Sequence, residues 1–245
     1  MLNIKKVYRK DYEGEEIVQS RTFSDGQWNT VTEYVENHVV NNQISNRAVV
    51  FGNGTGREGL NISNILTKKS GLLGSKTLQS YGCNAFYRDY TPNFLVVTSK
   101  EIAKEISESE YTKSNIVYSK VSLSLEFPKN FYIIPYDPYA DAGTTAAYIA
   151  CFDGHTRIYL SGFNGQEIPG KNDNMYAGTN GYAPVNGAFT HDNWVKNLHR
   201  LISVYDDVDF VRVTDTGTRS TPDLWKGLTN LRQISNRDFI MEADL

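Results

Sequence analysis

The sequence predicts an α/β fold: a doubly wound, mostly parallel sheet with helices on both faces and a long lid loop. Three observations carry this. Short apolar runs such as Arg47-Ala48-Val49-Val50-Phe51 end in glycine, the pattern of buried parallel strands. These runs alternate with segments whose apolar residues recur at helical spacing. A Gly-rich turn, Gly52-Asn53-Gly54-Thr55-Gly56, follows the first clear strand, at the place where open α/β sheets bind ligands.

Residues 1–45 read as an N-terminal extension to a single domain spanning 1–245. Within it, Lys6-Val7-Tyr8 and Glu16-Ile17-Val18 have strand character. From Asp25 a helix is expected, because Trp28, Val31, Tyr34, Val35 and Val39 recur at helical spacing. The strand over 47–51 comes next, and Leu60, Ile62, Ile65 and Leu66 mark a helix. Two further strands read over Thr77–Asn84 and Phe94–Thr98, with a helix over Ser99–Ile106. Asn115–Tyr118 and Asn130–Ile134 continue the strand series. Gly143–Phe152 is small and apolar, as in a helix packed tightly on a sheet, with Gly154 as its stop. Arg157–Leu160 forms a strand that runs into Ser161-Gly162. Residues 163–189 are rich in Gly and Asn and poor in aliphatics, the composition of a lid. A helix over Asp192–Tyr205, with Trp194, Val195, Leu198, Leu201 and Ile202 on one face, leads to Val208–Val213, which closes the sheet.

A chain of 245 residues buries a full core without staples. Its net charge of −3 gives no basic field, so no nucleic-acid partner is expected. The two cysteines, Cys83 and Cys151, stand in apolar contexts and read as buried free thiols of a reducing compartment. Charges follow Met1 closely and no apolar run reaches the roughly 18 residues of a membrane helix, so a cytoplasmic location is expected, with peripheral membrane contact and oligomeric state left open.

The glycine turn offers backbone N–H groups to a phosphate, with the following helix aiming its positive end at it. Gly54-Thr55-Gly56-Arg57-Glu58-Gly59 matches G-x-G-x-x-G. NAD is disfavoured, since the end of the second strand carries Asn84 where a ribose-binding acid belongs. No Walker lysine follows either. The reading is therefore a nucleotide held without dinucleotide or P-loop chemistry.

Four segments in this order resemble the bacterial CMP-sialic-acid-dependent sialyltransferases, a family with a Rossmann-like nucleotide domain and a flexible lid. They are Val49–Gly54, Cys83-Asn84-Ala85-Phe86-Tyr87, Gly143 through Gly162, and His191 followed by a helix and Phe210-Val211-Arg212-Val213. The resemblance implies that Gly52, Asn53, Gly54 and Asn84 hold the ribose and phosphate region. It implies that Gly143 lies where the backbone meets the nucleotide near the base, that Ser161 and Gly162 also bind it, that Tyr176 and Tyr182 are lid tyrosines bonding the leaving phosphate, and that His191 is the general base. The implied donor is a nucleotide sugar, CMP-linked and carrying sialic acid or a related acid sugar. The acceptor is a glycan or other hydroxyl compound, and neither cofactor nor metal is required. This chain departs from the family at Thr55-Gly56, which replaces Pro-Ser, and at Asp141-Ala142, which replaces Thr-Ser. It departs again at Phe163-Asn164, where the family continues with Asp and Tyr.

Each of these residues also has a plainer reading. His191 fits a helix start beside Thr190 or Asp192, and Tyr176 and Tyr182 fit loop packing. His155 and His199 read as structural. Asp137 and Asp141 flank Tyr139 as acceptor contacts or helix caps, Asp206-Asp207-x-Asp209 reads as a solvated turn, and Arg212, Arg219 and Arg232 as phosphate contacts or, more plainly, solvated cations. Two other functions stay open: a nucleotide phosphohydrolase using His191 with Asp215, and a catalytically silent nucleotide- or glycan-binding module.

Overall fold

The structure is a computed structural model that describes residues 3–12, 15–36, 45–69, 78–164, 173–184, 192–214 and 221–245. It opens with a two-stranded antiparallel ribbon, β1 (Glu15–Ser24) and β2 (Gln27–Glu36), where the sequence predicts a helix from Asp25. The turn decides the matter. Asp25 and Gly26 both take positive φ, 53° and 75°, as a two-residue type I′ hairpin requires, and Asp-Gly is its strongest sequence signal. Val31, Tyr34 and Val35 then join a strand, which β-branched and aromatic residues favour. Val39 lies outside the described residues. Lys6–Tyr8 is not a strand: it runs alongside Tyr205, whose hydroxyl donates to the Val7 carbonyl at 2.8 Å.

The main sheet has eight parallel strands. In chain order its elements are β3 (Arg47–Phe51), α1 (Ile62–Lys69), β4 (Gln79–Cys83), β5 (Phe94–Val97), α2 (Lys100–Ser107), β6 (Ile116–Ser119), α3 (Val121–Glu126) and β7 (Tyr132–Ile133). There follow α4 (Ala142–Phe152), β8 (Arg157–Ser161), α5 (Asp192–Val204), β9 (Asp209–Val213), β10 (Leu231–Ile234) and α6 (Asn236–Glu242). The spatial order is β10-β9-β8-β3-β4-β5-β6-β7. The chain therefore winds outward from β3 to β7, returns through α4, and winds outward again from β8. The winding reverses between β3 and β8, which is the topological switch point.

Alternation within the strands splits the core into two faces. Val50, Tyr81 and Val96 pack with α4 and α5 on one side, while Val49, Phe51, Leu95 and Val97 pack with α1, α2 and α6 on the other. α4 is apolar all round and is buried except near its start, so it lies flat against β3, β4 and β5. The sheet does not close at Val213. β10 adds an edge strand beside β9, its residues only half-buried and its pattern correspondingly polar. Both cysteines are buried and free.

The two winding halves meet backbone to backbone. The Gly52 N–H donates to the Ser161 carbonyl at 2.8 Å and the Gly54 N–H to the Gly162 carbonyl at 3.0 Å. A Cβ on Gly162, whose φ is +78°, would stand 2.5 Å from the Gly52 carbonyl oxygen. Gly178 has the same φ and open space around it. Gly162→Ala should therefore cost about 3 kcal/mol or more, against about 1 kcal/mol for Gly178→Ala, where only the left-handed backbone is penalised. Urea unfolding of both variants checks this, and equal losses would remove the close approach as the constraint at this junction.

Candidate functional site

A cavity of about 210 Å³ opens at the carboxyl ends of β3, β4 and β8, the switch point. Asn53, Cys83, Asn84 and Tyr182 line it together with Phe163 and Trp194. Asp141, Ala142 and Gly143 enter it from the start of α4, and Asn164 and Asp173 complete the rim.

The glycine turn lines this cavity without cradling an anion. Besides the Gly52 and Gly54 bonds to β8, the Thr55 N–H donates to Asp173 Oδ1 at 3.4 Å and the Gly56 N–H to Asn164 Oδ1 at 2.8 Å. These donors are spent on the protein itself. The glycines are required by packing: a Cβ on Gly54 would stand 2.3 Å from Asn164 Nδ2 and 2.5 Å from the Gly162 carbonyl oxygen. The helix after the turn, α1, begins only at Ile62 and contributes nothing to the cavity lining. The positive helix terminus comes from α4 instead. Asp141 caps it, accepting from the Thr144 N–H at 2.9 Å, and the first-turn N–H groups of Ala142 and Gly143 have no acceptor within the helix.

Asn53, 9% exposed, donates from Nδ2 to the Cys83 carbonyl at 3.3 Å and to the Tyr182 hydroxyl at 2.8 Å. Its Oδ1 is buried without a hydrogen-bond partner. A carbonyl only accepts, so the amide orientation is dictated by Cys83 and the orphan atom is an acceptor. The Tyr182 hydroxyl also receives the Ala85 N–H at 3.3 Å. With two donors aimed at its oxygen, that hydroxyl keeps its own hydrogen to give. Burial raises its pKa, which keeps it protonated. Asn84 takes a positive φ of 43° and its Oδ1 accepts from the Thr98 N–H at 3.0 Å, so it ties β4 to β5 while lining the cavity. Burial pushes the Cys83 thiol up to about 12, leaving it un-ionised at neutral pH.

The other sequence-predicted positions divide. Gly143 and Gly162 line the cavity, whereas Ser161 is buried outside the lining, its carbonyl bound to Gly52. Tyr176 is also outside the lining: its hydroxyl accepts from Arg57 at 2.9 Å and donates to Asp89 at 2.7 Å. Its place in the sequence beside Tyr182 suggested a shared role, but the turn over 176–179 sends the two hydroxyls to different partners. His191, Asp215 and Arg219 lie outside the described residues, as do 165–172 and 185–189 of the expected lid. Arg212 is buried and donates to the Phe163 carbonyl at 2.9 Å, and Arg232 bonds Glu242, so neither is a solvated cation. His155 is buried with Nδ1 2.5 Å from the Ser45 carbonyl oxygen and Nε2 2.8 Å from the Tyr81 hydroxyl, and burial lowers its pKa. Asp206 and Asp207 pair with Lys6, and Asp209 with Arg157. Among the described residues no three His, Cys, Asp or Glu side chains cluster to hold a metal ion, and no helix is long and apolar enough to cross a membrane.

Sequence reasoning missed the aromatic lining and the rim carboxylate Asp173. A signal for Trp194 existed: Trp194 and Val195 are neighbours, about 100° apart on a helix, and only one of them can sit at the centre of the core face. It also missed what fastens the lid. Arg88 donates to Glu105 Oε2 at 2.6 Å, to Thr179 Oγ1 at 2.7 Å and to the Asn180 carbonyl at 3.1 Å, while Asn180 Nδ2 donates to Glu105 at 2.8 Å.

No family model and no curated protein matches this chain. Solved structures similar to it are sialyltransferases of Campylobacter jejuni. The monofunctional α-2,3-sialyltransferase Cst-I is 15% identical, with a TM-score of 0.49, over 75% of this chain and 81% of that one. CstII with cytidine-5'-monophosphate is 13% identical, with a TM-score of 0.39, over 68% and 78%. A substituted form of the sialyltransferase CST-II in complex with CMP is 12% identical, with a TM-score of 0.41, over 81% and 98%.

The Arg88–Glu105 clamp titrates. Arg88 holds the Glu105 carboxyl down at about 2, with Tyr87 and Asn180 adding to the effect and partial burial opposing it. A depressed carboxylate contributes stability above its unfolded pKa of about 4.3, and that contribution is lost as pH falls toward about 2. Hydrogen-exchange protection of the 178–182 amides should fall across this window, and Glu105→Gln should lower it already at pH ~7. Protection that survives to pH ~2 in the wild type would exclude the clamp as what fastens the segment.

Proposed function

We propose that this chain is a glycosyltransferase that moves a sugar from a CMP-linked donor to a hydroxyl acceptor without a metal. This assigns to it the class of reaction that the similar Campylobacter jejuni proteins are named for, and its support is the site itself together with the four sequence segments. The observation that carries it is the pair formed by Asn53 and Tyr182. A buried amide oxygen with no partner stands beside a phenol whose hydrogen is free to donate, in a cavity that also receives the first turn of α4. Such a pair reads a ligand that offers both a hydroxyl and an anionic oxygen, as a ribose phosphate does.

In this mechanism the acceptor oxygen attacks the anomeric carbon while the bond from that carbon to the phosphate oxygen breaks. The electron pair leaves with the phosphate, and the acceptor's proton passes to the neutral imidazole of His191. Tyr182 donates to the departing phosphate oxygen as its charge grows, and the N–H groups of Ala142 and Gly143 add the positive end of α4. The Asp141 carboxylate is engaged by Thr144 N–H, by Thr144 Oγ1 at 2.8 Å and by Asn197 Nδ2 at 3.2 Å. Those bonds disperse its charge and tether it to the helix.

Tyr182→Phe should lower kcat about 10²-fold with little change in affinity for the intact CMP-linked donor, since the hydrogen is needed most by the departing phosphate. Asn53→Ala should do the reverse, weakening CMP while the melting temperature stays close to wild type. His191→Ala should cut turnover by about 10²–10⁴-fold and abolish the rise in rate through pH ~6–7. A chelator should leave turnover unchanged. If the wild type binds CMP yet transfers nothing from any CMP-linked sugar, the silent binding module is the better reading. If NAD or ATP stabilises the protein more than CMP does, the nucleotide assignment is wrong.

A further inference from the structure

The segment from Asp173 to Met175 is stitched onto the glycine turn. The Met175 N–H donates to the Asn53 carbonyl at 2.8 Å, and Asp173 accepts from the Thr55 hydroxyl and from Asn164 Nδ2. Asn174 lies between these attachments and, like Asn53, lines the cavity. Its own carbonyl accepts from the Ala177 N–H at 3.1 Å, so its backbone is held on both sides.

One half of the Asn174 side chain is engaged and the other is open. Oδ1 accepts from the Tyr176 N–H at 2.9 Å, closing a turn that an aspartate closes equally well. A backbone N–H only donates, so this bond sets the amide orientation and leaves a nitrogen with two hydrogens to give. Among the described residues nothing accepts from that nitrogen, and Asn174 is only half-buried. The cavity is short of such groups. Asp141 and Asp173 are carboxylates, which only accept, and Asn164 gives its nitrogen to Asp173 and its oxygen to the Gly56 N–H. A ribose phosphate presents more accepting oxygens than hydrogens, so the site that holds it has to supply donors. We propose that Asn174 is a nucleotide-binding residue of this cavity, its Nδ2 donating to an oxygen of the bound ribose phosphate. This rests on the nucleotide reading of the same site. Because Oδ1 and the neighbouring backbone are already fixed, the amide is ordered before the ligand arrives and loses little freedom on binding.

An asparagine kept only for its turn is replaceable by aspartate, whereas one that donates to a ligand is not. Calorimetric titration of the full chain with CMP separates the two. Asn174→Asp keeps an acceptor for the Tyr176 N–H and turns the donor into a second acceptor. It should weaken CMP about 10–100-fold with little change in melting temperature. Relative to wild type, that loss should persist at ~1 M salt, where the screening length is about 3 Å and a charge acting from a distance is suppressed. Asn174→Ala removes the turn and the donor together, and should weaken CMP about 10-fold while lowering the melting temperature by a few degrees. Wild-type affinity in Asn174→Asp, or a loss that disappears at ~1 M salt, overturns the assignment while the nucleotide reading stands. If Asn174→Asp does not fold, wild-type affinity in a folded Asn174→Ala overturns it instead. A wild-type protein that binds no CMP overturns both.

Discussion

Two backbones in contact organise this molecule. Where β3 and β8 emerge side by side, Gly52 and Gly162 approach so closely that neither has room for a Cβ: each would meet the other's carbonyl oxygen, at 2.7 and 2.5 Å. The pair is the seam between the outward windings of the sheet. Because the strands end there in register, Phe51 opposite Ser161, the loops that leave them are held together before they diverge. Asn53 and Phe163, the next residues on each side, consequently start from fixed positions, and both line the cavity. The cavity follows from the seam, since its walls are the first side chains that the two glycines leave room for.

The same seam explains why the glycine pattern was legible and its purpose was not. Gly52, Gly54 and Gly162 stand where the sequence places a ligand site, and a cavity opens there. Yet G-x-G-x-x-G describes a turn in which backbone N–H groups face a phosphate, and in this chain protein acceptors take them: Ser161, Gly162, Asp173 and Asn164. A glycine marks a place where something comes too close for a side chain. It does not say whether that something is a ligand or another strand, and only the strand order resolves the two. The positive helix terminus was misplaced for the same reason. Chain order suggests α1, next after the turn, but the crossover from β7 brings α4 back to the switch point.

Elsewhere, legibility tracked burial. The buried strands β3, β4, β5, β6, β8 and β9 were readable because their apolar runs are short and sharply bounded. β10 was not, since an edge strand need not be apolar, and Leu-Arg-Gln-Ile carries little pattern. The ribbon β1–β2 misled in a different way: residues at helical spacing can also lie in a strand, and the Asp25-Gly26 turn outweighs the period. Asn53 and Tyr182, expected at a site through the family resemblance, both line the cavity. Trp194 was hidden by its own helix, whose apolar stripe made it look like one more core residue. What no local pattern contains is the pairing of residues far apart in sequence, such as Asn53 with Tyr182 or Arg88 with Asn180.

That last limit bears on how residues 173–182 are held. Tyr176 and Tyr182 belong to one short stretch and differ in what holds them. Arg57 is 1% exposed, stacked over the Phe86 ring at 4.7 Å and donating to the Tyr176 hydroxyl, whose hydrogen goes to Asp89. Tyr176 is consequently an anchor, sunk in the α2-side core at 5% exposure. From it the chain crosses the Arg88–Glu105 clamp and delivers Tyr182 to Asn53. An anchor, a clamp and a delivered hydroxyl in sequence make a lever with a fixed base, so Tyr182 can be placed to hydrogen-bond accuracy although it belongs to a glycine-rich loop. A reactive hydroxyl needs such support, because a donor displaced by an ångström stabilises a leaving group far less. Loop composition tells where a lid runs. The buried cation Arg57 separates the anchored Tyr176 from Tyr182, which lines the cavity.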